Sequence, residues 1–126
     1  HYLIEWLAYH YHVMNLRNLI VTADPHSMTS PNKILDRWKD RMSIVLWTDD
    51  DFLPSDIDKK VHKVAFDDEG NQLKSVDLVY HRERQAAFNL NCLKEHKRQN
   101  RGWTMVIDVD EYMTFNPDLL RIDSED

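Results

Sequence analysis

Two aspartates stand one residue apart near the end of the chain, in the stretch WTMVIDVDEYMTFNP at residues 103–117. Asp108 and Asp110 follow an apolar run that is typical of a buried strand. Side chains alternate along an extended segment, so these two carboxylates share one side while Val109 points away. Negative groups held together repel unless one is protonated or a cation lies between them. Oxygen ligands of this kind suit Mg²⁺ or Mn²⁺, so the spacing predicts a divalent metal site.

The alternative interpretation is that the three acids at 108–111 form an ordinary polar loop. The residues that follow argue against this alternative, because Tyr112, Met113 and Phe115 return at once to apolar character. The acids therefore do not belong to a long solvated tract, and the metal interpretation is favoured.

The bulk composition limits the classes of function. The chain has 126 residues, of which 42% are hydrophobic and 30% charged, as expected for one globular domain. Its net charge of −6 argues against a nucleic-acid surface, which needs clustered lysine and arginine. Neither a glycine-rich dinucleotide motif nor a P-loop is present. We expect residues 1–126 to be a single partial domain of a longer protein.

Helical and strand patterns alternate along the chain. Apolar residues at spacings of three and four predict helices, and short β-branched runs predict strands. This order predicts an α/β domain with a largely parallel sheet covered on both faces. The elements are a helix at 2–14, a strand at 18–23, a helix at 31–40 with Ser30 as its cap, a strand at 43–48, an excursion such as a hairpin within 60–81, a helix at 82–99 and a strand at 103–109.

Several other side chains have a simpler interpretation. His10 and His12 point about 200° apart on a helix, so we expect packed or surface imidazoles rather than a chelating pair. The run DDD at 49–51 is interpreted as solvated, with Asp49 a candidate to cap a turn. We expect the side chains of all four tryptophans to pack in the core. They are Trp6, Trp38, Trp47 and Trp103.

Two stretches of the chain resemble the donor-binding half of GT-A glycosyltransferases, nearest to glycosyltransferase family 92 and its family-2-like relatives. They are HYLIEWLAYHYHVMNLRNLIVTADPHS at 1–27 and RQAAFNLNCLKEHKRQNRGWTMVIDVDEYMTFNP at 84–117. The motifs EWLAYH and DVDE, in this order and spacing, carry the resemblance, and only the region around 50–80 is unmatched. The resemblance implies a GT-A fold, a Rossmann-like three-layer sandwich, incomplete here at both ends.

The resemblance also implies a function. The chain would belong to a hexosyltransferase-type enzyme that moves a sugar from a nucleotide-sugar donor to a glycan or other hydroxyl acceptor. Mn²⁺ or Mg²⁺ would bridge the donor diphosphate to the DxD motif, with Asp110 a direct ligand and Asp108 reaching the ribose or a metal-bound water. The substrate-binding residues would be Asp24, Arg84, Gln85, Asn89 and Asp108.

Other features of the family would lie outside residues 1–126. The catalytic base is expected beyond the last residue, and the family's first strand before the first, so the chain alone should be inactive. A membrane anchor outside the chain and a place in the secretory pathway, at the Golgi membrane, are further implications of the resemblance.

Two alternatives remain open. A phosphatase of the haloacid-dehalogenase type also ends a strand with DxD, but it needs a small Thr or Val where Tyr112 stands. A GT-A-like domain that binds carbohydrate or nucleotide without turnover is the non-enzymatic alternative.

Overall fold

A computed structural model of the chain gives a mixed α/β arrangement. It describes residues 2–24, 27–55, 68–69 and 74–117, and for residues 74–79 it describes the backbone only. The elements in chain order are α1 (Tyr2–His12), β1 (Asn18–Thr22), α2 (Asn32–Asp36), β2 (Ser43–Trp47), α3 (Asp49–Phe52) and α4 (Lys74–Arg98).

Helix α1 confirms the helix predicted at 2–14. Trp6, Leu7 and His10 are buried at spacings of one, three and four, which makes a single apolar stripe. Hydrogen bonds of helical type continue to Met14, and the chain then turns at Asn15, whose φ is 57°. Asparagine tolerates this left-handed conformation at a helix end better than most residues do.

Within the described residues, strands β1 and β2 form a two-stranded parallel sheet, paired from Asn18 with Ser43 to Thr22 with Trp47. The strands predicted at 18–23 and 43–48, and their parallel direction, are confirmed. All five residues of β1 are half-buried. Parallel strands are usually covered on both faces, and this burial pattern agrees with that rule.

The two faces of the sheet meet different helices. On one face, Leu19 and Val21 pack against the core formed by Trp6 and Leu7 of α1, Leu35 of α2 and Met42. On the other face, residues of α4 meet the strands. The ring of Phe88 lies 6.1 Å from that of Trp47, and Arg84 donates to the Thr22 hydroxyl. The sheet is therefore contacted by helices from both sides.

Helices α2 and α3 are short. The Ser30 hydroxyl accepts a hydrogen bond from the Asn32 N–H at 3.3 Å, but Pro31 occupies the cap position of α2 and no side chain caps this helix. The prediction of Ser30 as the cap is therefore wrong by one position. After Asp36 the helix gives way to turns, so it ends earlier than the pattern through Asp40 suggested. At α3 the Asp51 carboxylate accepts from the backbone N–H of Thr48 at 2.6 Å, and this contact closes a capping box.

Helix α4 is longer than predicted. It begins at Lys74, so the expected hairpin within 60–81 is wrong for its described last part, while 60–67 and 70–73 lie outside the described residues. At the other end, the N–H of Arg101 donates to the His96 carbonyl and that of Asn100, with φ 59°, to Lys97. These contacts are a Schellman motif, which ends the helix. No described helix is both long and apolar enough to span a membrane.

The prediction of a strand at 103–109 is wrong. Residues 103–108 run without turn or bend but join no sheet within the described chain, and a turn follows at 109–110. Arg101 donates to the Asn18 side chain at 2.8 Å, so this segment starts beside the start of β1. Ile107 packs on the same core as Val21. The apolar run therefore lies alongside β1 without being paired to it.

Substitution of Leu7 by alanine tests the position of the core. Leu7 has no exposed surface, so Leu7→Ala should lower the free energy of unfolding by about 2–5 kcal/mol. Urea denaturation followed by circular dichroism measures the change. Ile4, on the same helix, is 46% exposed, and Ile4→Ala should cost no more than about 0.5 kcal/mol. Equal effects of the two substitutions would contradict the assigned burial of α1.

Candidate functional site

The DVDE motif forms a tight turn rather than the end of a paired strand. The backbone N–H of Glu111 donates to the Asp108 carbonyl at 3.0 Å. In return, the Glu111 carboxylate accepts the backbone N–H of Asp108, also at 3.0 Å. One of the three acids is therefore occupied in closing the turn. The other two carboxylates, of Asp108 and Asp110, belong to the turn without being needed to form it.

Helix α1 holds the chain immediately after this turn through three hydrogen bonds. The Trp6 indole N–H donates to the Glu111 carbonyl at 2.9 Å, and the Tyr9 hydroxyl donates to the Met113 carbonyl at 2.8 Å. The Met113 N–H donates to His10 Nε2 at 3.3 Å. Each contact spans more than 100 positions of sequence, so the first helix and the acidic motif are positioned together.

His10 has a defined structural role. A backbone N–H can only donate, so Nε2 must accept from Met113 and the ring proton must lie on Nδ1, 2.8 Å from the Trp6 carbonyl. The ring is 1% exposed and stacks on Tyr112 at 5.5 Å with 27° between the planes. His12 is exposed. The prediction of packed and surface imidazoles is confirmed for this pair.

The carboxylates of Asp108 and Asp110 are exposed. Within the described part of the chain neither is bridged to an arginine or lysine. Asp108 lies at the far end of a segment that starts beside Asn18, so the turn lies towards the edge where β1 ends. No group of three or more His, Cys, Asp or Glu side chains suited to hold a metal is found among the described residues. Among the described residues, an ion at this turn would have these two carboxylates as its candidate protein ligands.

Arg84 connects the carboxyl ends of both strands. Its Nε donates to Asp49 at 2.8 Å, and its Nη2 donates to the Thr22 hydroxyl and the Ala23 carbonyl at 2.9 and 2.8 Å. The residue is 9% exposed, and its guanidinium lies 5.3 Å from the centre of the Phe52 ring. Asp49, interpreted from the sequence as a solvated acid, is instead half-buried in this ion pair.

The other residues expected at a donor site lie near these elements. Asp24 follows β1 directly beyond Ala23, is exposed, and its carbonyl accepts the Ser27 N–H at 2.9 Å. On α4, Gln85 is exposed and Asn89 is half-buried. Arg84 and the loop before Asp24 are therefore brought together, whereas no described contact joins either of them to the turn at 108–111.

Sequence reasoning missed the residues that build this arrangement. Trp6 and Tyr9 fix the acidic turn, and Asp49 with the Tyr80 hydroxyl, 3.4 Å away, completes the surroundings of Arg84. The sequence indicated the roles of Trp6 and Tyr9 only through the aromatic content of α1. The partner of Arg84 lies 35 positions away, and no local pattern indicates it.

A cavity of about 460 Å³, here called the slot, lies between β1 and the segment 103–107. Residues of α1 and α4 also line it, among them Cys92 and His96. Burial raises the pKa of the Cys92 thiol from its usual 9.0 to about 11. Burial also lowers the pKa of His96, and the nearby positive charge of Arg101 lowers it further. Both shifts favour uncharged groups in the slot at neutral pH.

Comparison of the chain with protein-family models, with curated proteins and with solved structures found no match.

Replacement of Arg84 tests the connection between the strand ends. Arg84→Met should lower the free energy of unfolding by about 2–3 kcal/mol, because it leaves half-buried oxygen acceptors without a donor. Asp49→Asn, measured alone and with Arg84→Met, should give a coupling energy of about 1 kcal/mol or more in urea denaturation. Arg82 is exposed on the same helix and provides the control, since Arg82→Met should change stability by less than about 0.5 kcal/mol. Additive effects of the two substitutions would disprove the coupling.

The pH dependence of thiol alkylation tests the burial of Cys92. The thiolate is the reactive form, and the raised pKa means that the folded protein keeps the proton as the pH rises past 9.0. In the folded chain the alkylation rate should therefore reach half of its maximum only near pH 11. In urea it should reach half of its maximum near pH 9. Mass spectrometry of iodoacetamide-treated samples gives both profiles, and identical profiles would contradict the burial.

Proposed function

We propose that this chain is the donor-binding part of a metal-dependent glycosyltransferase with a GT-A fold. It would bind a nucleotide-diphosphate-sugar and contribute to transfer of the sugar to a hydroxyl group of a glycan or other acceptor. The observation that supports this proposal best is the state of the DVDE turn. Glu111 closes the turn, while Asp108 and Asp110 present exposed carboxylates with no cation bridged to them in the described chain.

The donor set of this turn fits a hard divalent cation. Two carboxylates on a short turn supply only oxygen ligands, and Mg²⁺ and Mn²⁺ accept such ligands together with phosphate oxygens and water. A site with two protein carboxylates leaves coordination positions for a diphosphate. When bound, such an ion offsets the negative charge that builds on a leaving nucleoside diphosphate.

Each side chain then has a defined task in the proposal. Asp110 would bind the ion directly, and Asp108 would bind the ribose or a water on the ion. Asp24 would contact the nucleotide, with its loop held in place by the bond from Arg84 to the Ala23 carbonyl. Gln85 and Asn89, one turn apart on α4, would form part of the pocket wall. In this view Arg84 positions the site, because its Nε and Nη2 atoms already donate to protein oxygens.

One contact weighs against the phosphatase alternative. That chemistry needs a small hydroxyl-bearing or aliphatic residue two places after the second aspartate. Tyr112 occupies this place and is packed against the rings of His10 and Tyr9, at 5.5 and 5.2 Å. Position 112 therefore holds a large aromatic side chain that packs on other rings.

Calorimetric titration of the chain with UDP and with GDP, each with and without MnCl₂, tests the metal site. Asp110→Asn should weaken Mn²⁺-dependent nucleotide binding by more than about a hundredfold, beyond the loss typical of an outer-sphere partner. The circular dichroism spectrum should not change, because the side chain is exposed.

Glu111 supplies a matched control within the same motif. Glu111→Gln keeps an oxygen acceptor for the Asp108 N–H and removes one negative charge. This variant should therefore bind nucleotide with the same Mn²⁺ dependence as the unaltered chain. Equal losses in Asp110→Asn and Glu111→Gln would indicate a general charge effect, and unchanged binding in Asp110→Asn would refute the metal site.

A further inference from the structure

The outward face of α4 carries two leucines that the described part of the chain leaves exposed. The inward face of this helix meets the sheet, where the Phe88 ring lies 6.1 Å from the Trp47 ring and Cys92 is buried. Leu90 and Leu93 lie on the other side of the helix and are 53% and 46% exposed. The outward positions of a helix that packs on a sheet are usually polar, so two neighbouring leucines here indicate a surface that binds a partner.

Two lysines lie beside these leucines on the same face. Lys94 is four positions after Leu90, and Lys97 is four positions after Leu93, so each lysine neighbours a leucine on the helix surface. Both lysines are exposed, and within the described residues neither forms an ion pair with an acid. A helix face of this kind, apolar beside basic, is typical of helices that lie on an anionic surface.

The basic side chains are concentrated at one end of α4. Residues 94–101 contain four basic residues and one acid, and that acid, Glu95, forms an ion pair with Arg98. Arg101 donates to the Asn18 side chain at the start of β1, so this end of the helix lies at the amino edge of the sheet. The end of α4 where positive charge collects is therefore also the end where cations are stabilised by the helix dipole.

The acids of the chain lie towards the opposite edge. Asp24 and the run at 49–51 follow β1 and β2 directly, at their carboxyl ends, and Asp49 binds Arg84 near the other end of α4. From Arg84 to the last turn of α4 is about 20 Å along the helix axis. Exposed charges separated by more than about 10 Å are largely screened at physiological salt. The net charge of −6 therefore does not prevent the basic end from attracting an anionic partner.

We propose that the outward face of α4, defined by Leu90, Leu93, Lys94 and Lys97, binds the surface of an anionic phospholipid bilayer. The leucines enter the headgroup region, and the lysine ammonium groups bind lipid phosphate and carboxylate oxygens. The proposal concerns a surface of this chain and does not depend on the glycosyltransferase proposal.

The shape of this face favours a lipid surface over an acidic protein. A single helix presents a convex surface, and two leucines on it offer neither a pocket nor an aromatic anchor. Protein interfaces obtain most of their binding energy from such central anchors, among which leucine is under-represented. A bilayer needs no anchor pocket, because its headgroups rearrange around inserted side chains and its charge is spread over the whole surface.

Flotation of the chain with lipid vesicles measures this binding. Vesicles of phosphatidylcholine with about 30% phosphatidylserine should bind the chain at least about tenfold more tightly than vesicles of phosphatidylcholine alone. Raising the salt concentration to about 0.5 M should release the chain, because it screens the lysine charges.

Two double variants test the residues of the face. Lys94→Gln with Lys97→Gln removes the two charges, and Leu90→Gln with Leu93→Gln removes the apolar side chains while keeping good helix formers. Each double variant should bind the phosphatidylserine vesicles at least about tenfold more weakly than the unaltered chain. Circular dichroism spectra should not change, because all four side chains are exposed.

Two lysines on the other side of the sheet provide a matched control. Lys33 and Lys39 are exposed, in α2 and just after it, and Leu35 of this helix packs in the core on the sheet face opposite to α4. Lys33→Gln with Lys39→Gln removes the same charge, and it should change vesicle binding by less than about twofold if the α4 face is the site.

Several results would overturn the proposal. An equal loss in the control variant would mean a response to net charge alone, and equal binding to both kinds of vesicle would mean apolar insertion without recognition of charge. Absence of vesicle binding would refute the proposal, and retention on immobilised polyglutamate in that case would assign the face to an acidic protein. Sedimentation showing a dimer that the leucine variant dissociates would assign it to a second copy of the chain.

Discussion

The buried face of α1 is the constraint on which both the core and the acidic turn depend. Leu7 enters the core beneath the sheet, and its neighbours Trp6 and His10 hold the chain after the turn. Burial of a leucine stabilises a fold by about 1.5–3 kcal/mol, whereas a single hydrogen bond contributes about 0.5–1.5 kcal/mol. The buried leucine therefore fixes α1 in the core, and the hydrogen bonds decide where the turn lies. One face of α1 can both pack in the core and hold the turn, because it carries an apolar leucine beside two side chains that form hydrogen bonds.

A second constraint acts at the carboxyl ends of the strands, where Arg84 binds three oxygen acceptors. Removing a guanidinium from water is costly, and the cost is offset only when its donors are well used. Here the charged partner is Asp49, and the Thr22 hydroxyl and the Ala23 carbonyl take further bonds. The arrangement ties the loops after β1 and β2 to α4. Loops that are held in this way can present side chains such as Asp24 in a fixed position.

Backbone pairing is the third constraint, and it explains why one apolar run is not a strand. Residues 103–107 have the composition of a strand and run alongside β1, yet a slot of about 460 Å³ separates the two. A ladder needs partner atoms within hydrogen-bond distance, and composition alone does not supply them. The carboxyl end of this run nevertheless has a fixed position, because α1 holds the chain just beyond it through hydrogen bonds to Glu111 and Met113.

Local patterns in the sequence determined much of the fold. Apolar spacing predicted α1, and β-branched runs predicted β1 and β2. The alternation of helices and strands predicted their parallel direction, and the helix predicted to end at 99 ends at Arg98. The acidic pair Asp108 and Asp110 was also evident, since its spacing is a local feature.

The tertiary structure alone decided what each charged or polar group does. Glu111 closes a turn, Asp49 pairs with Arg84, and His10 accepts from Met113 instead of binding a ligand. The start of α4 at Lys74 and the lack of a sheet partner for 103–107 among the described residues were not evident from the sequence either. Helix and strand periodicity is a property of neighbouring residues, so it can be read along the chain. Ion pairs, hydrogen bonds across more than 30 positions and strand ladders depend on distances between segments, which only the packed fold sets.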